Sequence, residues 1–141
     1  MTLYLDTSLV VAALTREPKT LDTQAWLGNQ PPAELAISDW VVTEFSAALS
    51  IKLRTKQLDA NDRAVALAKF AALCSESVDI LPISGLQFRA AARFADQHAL
   101  GLRAGDALHL AICADHGATI CTLDRRLSEA GPVLGVRAVL L

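Results

Sequence analysis

A short apolar, β-favouring run at Thr2–Leu5 gives way at once to the polar triplet Asp6, Thr7 and Ser8. That pattern predicts a buried strand ending where a helix begins, with Asp6 at the strand's carboxyl end. Leu9–Leu14 continues as a helix, Pro18 opens another that reaches Trp26, and Gln30, Pro31 and Pro32 close it. Leu35–Ile37 predicts a second strand, after which Ser38 or Asp39 can cap a long helix running to about Lys56. Val41, Val42, Phe45, Leu49 and Leu53 form that helix's apolar face. Glu44 lies one turn in, at the margin of the face, where simple solvation explains an acid poorly.

The same grammar continues to the end of the chain. Asp59 or Asn61 caps a helix through Ala72 and Leu73, Val78–Ile83 is a third strand, and Ser84 caps a helix reaching Ala99 with Gly101 as its C-terminal stop. A helix from about Gly105 to His116 halts at Gly117, and Ala118–Leu123 and Val136–Leu140 supply the fourth and fifth strands. Alternation of this kind predicts an α/β domain whose mainly parallel sheet carries helices on both faces. Ligands in such domains bind at the carboxyl ends of the strands. Asp6 and Asp124 both end strands, while Glu44 and Asp106 lie near helix starts.

Composition narrows the picture further. With 141 residues, 52% of them hydrophobic, the chain suits one domain over residues 1–141 with a single core. A charged fraction of 20% without long single-sign blocks argues against disorder and against a basic or acidic tail. The net charge of −2 means that a nucleic acid would have to be held by a local basic surface. Cys74, Cys113 and Cys121 are odd in number, match no close-paired zinc spacing and sit in apolar stretches, as expected of reduced thiols in a cytoplasmic protein. Met1–Leu14 carries no basic leader or small-residue cleavage site, and no apolar run approaches about 18 residues, so neither a signal peptide nor a membrane span is expected.

Strand-ending aspartates converge if strands one and four are neighbours at the point where the order of the sheet reverses. Carboxylates about 4 Å apart then repel by roughly 4 kcal/mol per pair at an effective dielectric near ~20, and a divalent cation removes the difficulty. Mg²⁺ or Mn²⁺ accepts hard oxygen ligands, leaves room for substrate phosphate and makes bound water acidic enough to attack phosphorus. Four acids could serve one or two ions in phosphodiester hydrolysis. Taken singly, each acid has a plainer account: Asp106 as a partner of a helix dipole, Asp124 as the cap of a short helix containing Arg125 and Leu127. Only the set of four argues for chemistry.

In those residues the sequence resembles the PIN-domain family, and within it the VapC toxins of bacterial toxin–antitoxin pairs, over essentially the whole chain. The resemblance rests on Leu5, Asp6, Thr7 and Ser8; on Glu44 in Thr43, Glu44, Phe45; on Asp106 in Gly105, Asp106, Ala107, Leu108, His109, Leu110, Ala111; and on Asp124 in Thr122, Leu123, Asp124. It implies a three-layer α/β/α domain with a five-stranded parallel sheet in the order 3-2-1-4-5, which makes strands one and four adjacent. It implies a ribonuclease using Mg²⁺, with Mn²⁺ as an alternative, held by Asp6, Glu44, Asp106 and Asp124. The implied partners are an RNA substrate, a small VapB-type antitoxin and a second copy of the chain. Leu127 departs from the pattern, since many relatives carry an aromatic residue there.

Around the acids, Thr7 and Ser8 are candidates to bond the carboxylates, although a helix cap explains them equally well. His109 follows Asp106 by one helical turn, but on an apolar face with Leu108, Ile112 and Cys113 it reads first as a satisfied core residue. His98 and His116 suit helix ends. The cations best placed to steer RNA are Arg103, Arg125 and Arg126, which flank the acids in sequence; Arg16 and Lys19 are further candidates, and Lys52, Arg54 and Lys56 are also suited to an acidic partner. Trp26 and Trp40 are expected in packing before base stacking.

Three other readings compete. A PIN nuclease of RNA processing would keep the chemistry and lose the toxin role. A non-enzymatic receiver-like module would want an acidic pair after strand one and a late lysine, yet Thr7 and Ser8 follow Asp6 and no lysine follows Lys69. An aspartyl-phosphate phosphatase would want a second aspartate where Ser8 stands.

Overall fold

The computed structural model describes residues 1–141. Five short strands form one parallel sheet: β1 (Leu3–Leu5), β2 (Leu35–Ser38), β3 (Asp79–Leu81), β4 (Thr119–Thr122) and β5 (Ala138–Leu140), ordered β3-β2-β1-β4-β5. Every strand pair is parallel, and the β1–β4 register sets Leu5 opposite Cys121. The chain therefore has the expected order, with β1 and β4 side by side. The three central strands are wholly buried, whereas the edge strands β3 and β5 are largely exposed, as befits a sheet covered in the middle and open at its sides.

Seven helices make the crossovers: α1 (Thr7–Leu14), α2 (Thr20–Gly28), α3 (Asp39–Arg54), α4 (Ala60–Glu76), α5 (Gly85–Asp96), α6 (Ala104–His116) and α7 (Arg125–Val133). Right-handed crossovers put the helices preceding β3 on one face and those following it on the other. The packing follows that division, since α1 touches α2, α3 and α4 while α5 lies along α6. Tyr4, Leu5, Leu9, Ile37, Phe45, Leu49, Leu110, Ile112 and Ile120 are fully buried between the layers. Phe45 stacks on Phe70 with ring centroids 4.2 Å apart, tying α3 to α4.

Local signals place most helix ends. Asp59 caps α4 and exchanges side-chain bonds with Asp62, and Ser84 does the same for α5 with Gln87. Three expectations need correction. The helix after Ser84 ends at Asp96, and Gly101, at φ +64°, stops a separate single 3-10 turn at His98–Leu100. The second helix begins at Thr20, two residues past Pro18. Ser38 occupies the N-cap of α3 but its side chain makes no capping bond, because it is engaged elsewhere. No helix is long and apolar enough to cross a membrane.

Candidate active site

Asp6 immediately follows β1, and its own N–H extends the ladder by donating to the Cys121 carbonyl at 3.1 Å. Its side chain caps α1 through the Leu9 N–H, 3.1 Å from Oδ1. Ser8 Oγ donates to Oδ1 at 2.8 Å and Thr122 Oγ1 to Oδ2 at 2.6 Å. Burial pushes the Asp6 carboxyl above its ordinary range, and those donors, with the nearby His109, offset only part of the effect. At 3% exposure Asp6 is the deepest of the four acids.

Ser8 Oγ also accepts the Leu123 N–H at 3.1 Å and so pins the end of β4 to the end of β1. Thr122 Oγ1 accepts the Asp124 N–H at 2.9 Å. Neither Thr7 nor Ser8 caps the helix, contrary to the plainer account; the cap is Asp6, Ser8 bonds Asp6, and Thr7 donates to Glu44 Oε1 at 2.7 Å. Thr122 was missing from the expected site. Its only sequence signal is its place two residues before Asp124, at the end of a buried strand.

Glu44 projects from the second turn of α3, half-buried, and its Oε1 also takes a hydrogen bond from His109 Nε2. Burial alone would raise this carboxyl, but the bond and charge of His109 together with the Thr7 bond hold it below its ordinary value. His109 is thus both a buried core residue and a neighbour of the site. Asp106 stands in the first turn of α6, where burial, the repulsion of Asp124 and that of Glu44 raise its carboxyl. Asp124 caps α7 by accepting the Leu127 N–H at 3.2 Å on Oδ1. Leu127 itself is buried, so the departure from an aromatic residue there is a matter of packing.

Glu44, Asp106 and Asp124 open into one cleft of about 520 Å³, with Arg103, Arg126, Trp40 and Gly105 completing its walls. The cleft therefore sets three carboxylates beside two guanidinium groups, with Glu44 and Asp106 half-buried and Asp124, Arg103 and Arg126 exposed. A Cβ on Gly105 would stand 2.9 Å from Glu44 Oε2 and 3.3 Å from Trp40 Nε1, so glycine is what lets the carboxylate and the indole close against the start of α6. Asp124 also borders an adjoining cleft of about 460 Å³ with Thr7 and Ser8.

The other cations fall outside the cleft. Arg125 is exposed and lines neither wall, as are Arg16, Lys19, Arg54 and Lys56. Lys52 is buried and its Nζ sits 2.9 Å from Glu17 Oε1, so it is a clasp between α3 and the loop after α1 and not a free partner-facing charge. Cys113 and Cys121 are buried and Cys74 is half-buried, all three free.

No group of three or more His, Cys, Asp or Glu side chains stands close enough together to hold a metal ion as the side chains lie. The donor set nevertheless suits a hard divalent cation: three carboxylates share one open cleft, and the charges of Asp124 and Glu44 add to burial in raising the carboxyl of Asp106. Asp6, wrapped by hydroxyls, would reach a cation only after those hydroxyls turn.

Residues 3–131 match the sequence profile of the PIN domain family. No curated protein matches the chain by sequence. Among solved structures, the FitAcB structure from Neisseria gonorrhoeae is similar at a TM-score of 0.72 with 17% identity, covering 97% of this chain and 96% of that one. VapC20 from Mycobacterium tuberculosis, described as a sarcin-ricin loop cleaving toxin, aligns at a TM-score of 0.73 with 18% identity, covering 92% of this chain and 95% of that one. VapBC-5 from the same organism, a member of the VapBC family of toxin–antitoxin systems, aligns at 0.66 with 17% identity and complete coverage of both, 100% each. At such identities the likeness establishes the fold.

Proposed function

The chain belongs to the PIN domain family, and on that premise we propose that it is a divalent-metal-dependent endoribonuclease acting as the toxin of a VapBC-type pair. The observation that supports the proposal is the cleft shared by Glu44, Asp106 and Asp124 with Arg103 and Arg126, beside the adjacent strands β1 and β4, the first of which leads directly into Asp6.

Glu44, Asp106 and Asp124 are the residues that would hold Mg²⁺ or Mn²⁺, with Asp6 behind them. The ion supplies charge neutralisation for the phosphate and lowers the cost of deprotonating water. Asp6 is anchored at the end of β1 by Thr122, Ser8 and the Leu9 amide. Arg103 and Arg126 draw the phosphodiester towards the acids. In the reaction a water oxygen bonds to phosphorus, the bond from phosphorus to the ribose oxygen breaks, and that oxygen takes up a proton. Partners consistent with the reading are single-stranded or loop RNA, a small VapB-type antitoxin and a second copy of the chain.

The test is cleavage of structured RNA by purified protein with Mg²⁺, with Mn²⁺ and with chelator, alongside Asp6→Asn and Asp106→Asn. Cleavage is expected only with added metal and is expected to fall by at least about a hundredfold in either variant. Full cleavage in chelator, or in Asp6→Asn, would overturn the mechanism.

A further inference from the structure

Behind Glu44, on the side away from the cleft, lie three buried polar side chains that the reaction above leaves unused. Tyr4 and Ser38 are fully buried and His109 is 2% exposed. They come from β1, from the end of β2 and from α6, so three crossovers must be in place before they can meet. Tyr4 Oη stands 2.7 Å from Ser38 Oγ and 2.7 Å from His109 Nδ1, and His109 Nε2 bonds Glu44 Oε1. Burial pushes the Tyr4 phenol far above its ordinary value, so it stays protonated and has a hydrogen to donate.

The direction of one bond is fixed by chemistry. An ionised Glu44 can only accept, so the hydrogen between it and His109 belongs to Nε2. With a neutral imidazole, Nδ1 must then accept from Tyr4, and Tyr4 in turn accepts from Ser38; with an imidazolium the two inner bonds reverse and the one to Glu44 does not. In both cases the ring cannot turn without leaving a buried donor or acceptor unpaired, at roughly 1–3 kcal/mol for each. Ser38 serves this chain at the expense of the cap it would otherwise make on α3.

The result is asymmetric at the carboxylate. Oε1 carries both protein donors, His109 Nε2–H and Thr7 Oγ1–H. Oε2 accepts no hydrogen bond from the protein and lies against Gly105, one residue from Asp106. We propose that the Ser38–Tyr4–His109 chain is a positioning device that saturates one oxygen of Glu44 and so presents the other, already oriented, to a divalent cation beside Asp106. This rests on the metal-dependent reading above. Ligands held from behind in this manner lose about 10–100-fold in metal affinity when the supporting partner is removed.

Two variants separate positioning from packing. In His109→Gln the amide nitrogen reaches the place of Nε2 and can still donate to Glu44; in His109→Asn the shorter amide reaches only the place of Nδ1 and keeps Tyr4 alone. Mn²⁺ affinity by electron paramagnetic resonance, melting temperature, and kcat and KM for RNA are measured on both. Mn²⁺ binding is expected to weaken about tenfold or more in His109→Asn and less than about threefold in His109→Gln, with kcat falling while KM holds. Tyr4→Phe, which removes one oxygen from a buried ring, is expected to weaken Mn²⁺ several-fold and serves as the decisive variant should His109→Asn not fold. Equal Mn²⁺ affinity in all variants that fold would overturn the positioning role and leave the nuclease reading intact. A wild-type protein that binds no Mn²⁺ would overturn both.

Discussion

Thr122 joins three parts of the site through one hydroxyl, donating to Asp6 and accepting from the Asp124 amide. Thr122→Val keeps the shape and deletes both bonds, leaving a buried carboxylate one donor short, so the expected loss is roughly 2–3 kcal/mol in urea unfolding at unchanged m. Asp106 behaves in the opposite sense. Its carboxyl is raised by burial and by Asp124, so its charge opposes folding at neutral pH, and Asp106→Asn in metal-free buffer should be more stable than wild type. Water in the open cleft screens the repulsion, which limits the gain to about 1 kcal/mol. Added Mn²⁺ should raise the melting temperature of wild type and not that of the variant. Glu44 has the reverse sign again: its folded value lies below the ordinary 4.5, so its ionisation contributes stability above that pH and the contribution fades as pH falls through the folded value. The stability difference between wild type and Glu44→Gln should therefore be constant near neutrality and shrink below about pH 4.5; a difference that grows on acidification would contradict the assignment.

At the level of elements, α7 is bounded by a close approach. A Cβ on Gly131 would lie 2.9 Å from the Val136 carbonyl oxygen and 3.3 Å from Ala138 Cβ, both on the segment entering β5. Because the nearer atom is backbone, Gly131→Ala should cost roughly 1–3 kcal/mol, read as a lower denaturation midpoint. The alternation of strands and helices was legible because short apolar runs and capped amphipathic segments follow one another along the chain, whereas the order of strands in the sheet followed only from the family resemblance. The acids were legible as residues, since carboxylates at strand ends and helix starts are conspicuous. Their supports were not. Tyr4 in an apolar strand and His109 on an apolar face look like packing in a linear reading, because nothing in their spacing shows that 105 residues apart their polar atoms meet at 2.7 Å. Lys52 misled for the same reason: periodicity puts it at the far end of α3, and only the path of the loop after α1 brings Glu17 beneath it.

For the molecule as a whole, the toxin reading makes an expectation in cells. Expression of the wild-type chain alone should arrest growth, Asp106→Asn should not, and co-expression of a small protein encoded beside it should restore growth; a harmless wild type that still cleaves RNA would remove the toxin role and keep the nuclease. The parallel sheet has a further practical consequence. With all five strands pointing one way, the molecule has a working end and a blunt end, and chain segments feeding the amino ends of the strands sit at the blunt one. The largely exposed stretch from Asn29 to Ala33, between α2 and β2, is such a segment, and a Cβ at Gly28, the last residue of α2, would meet nothing within 4 Å. A fluorophore or short affinity label inserted there would report on binding at the opposite end without touching the cleft, which makes it the attachment point for watching RNA and the inhibitor compete.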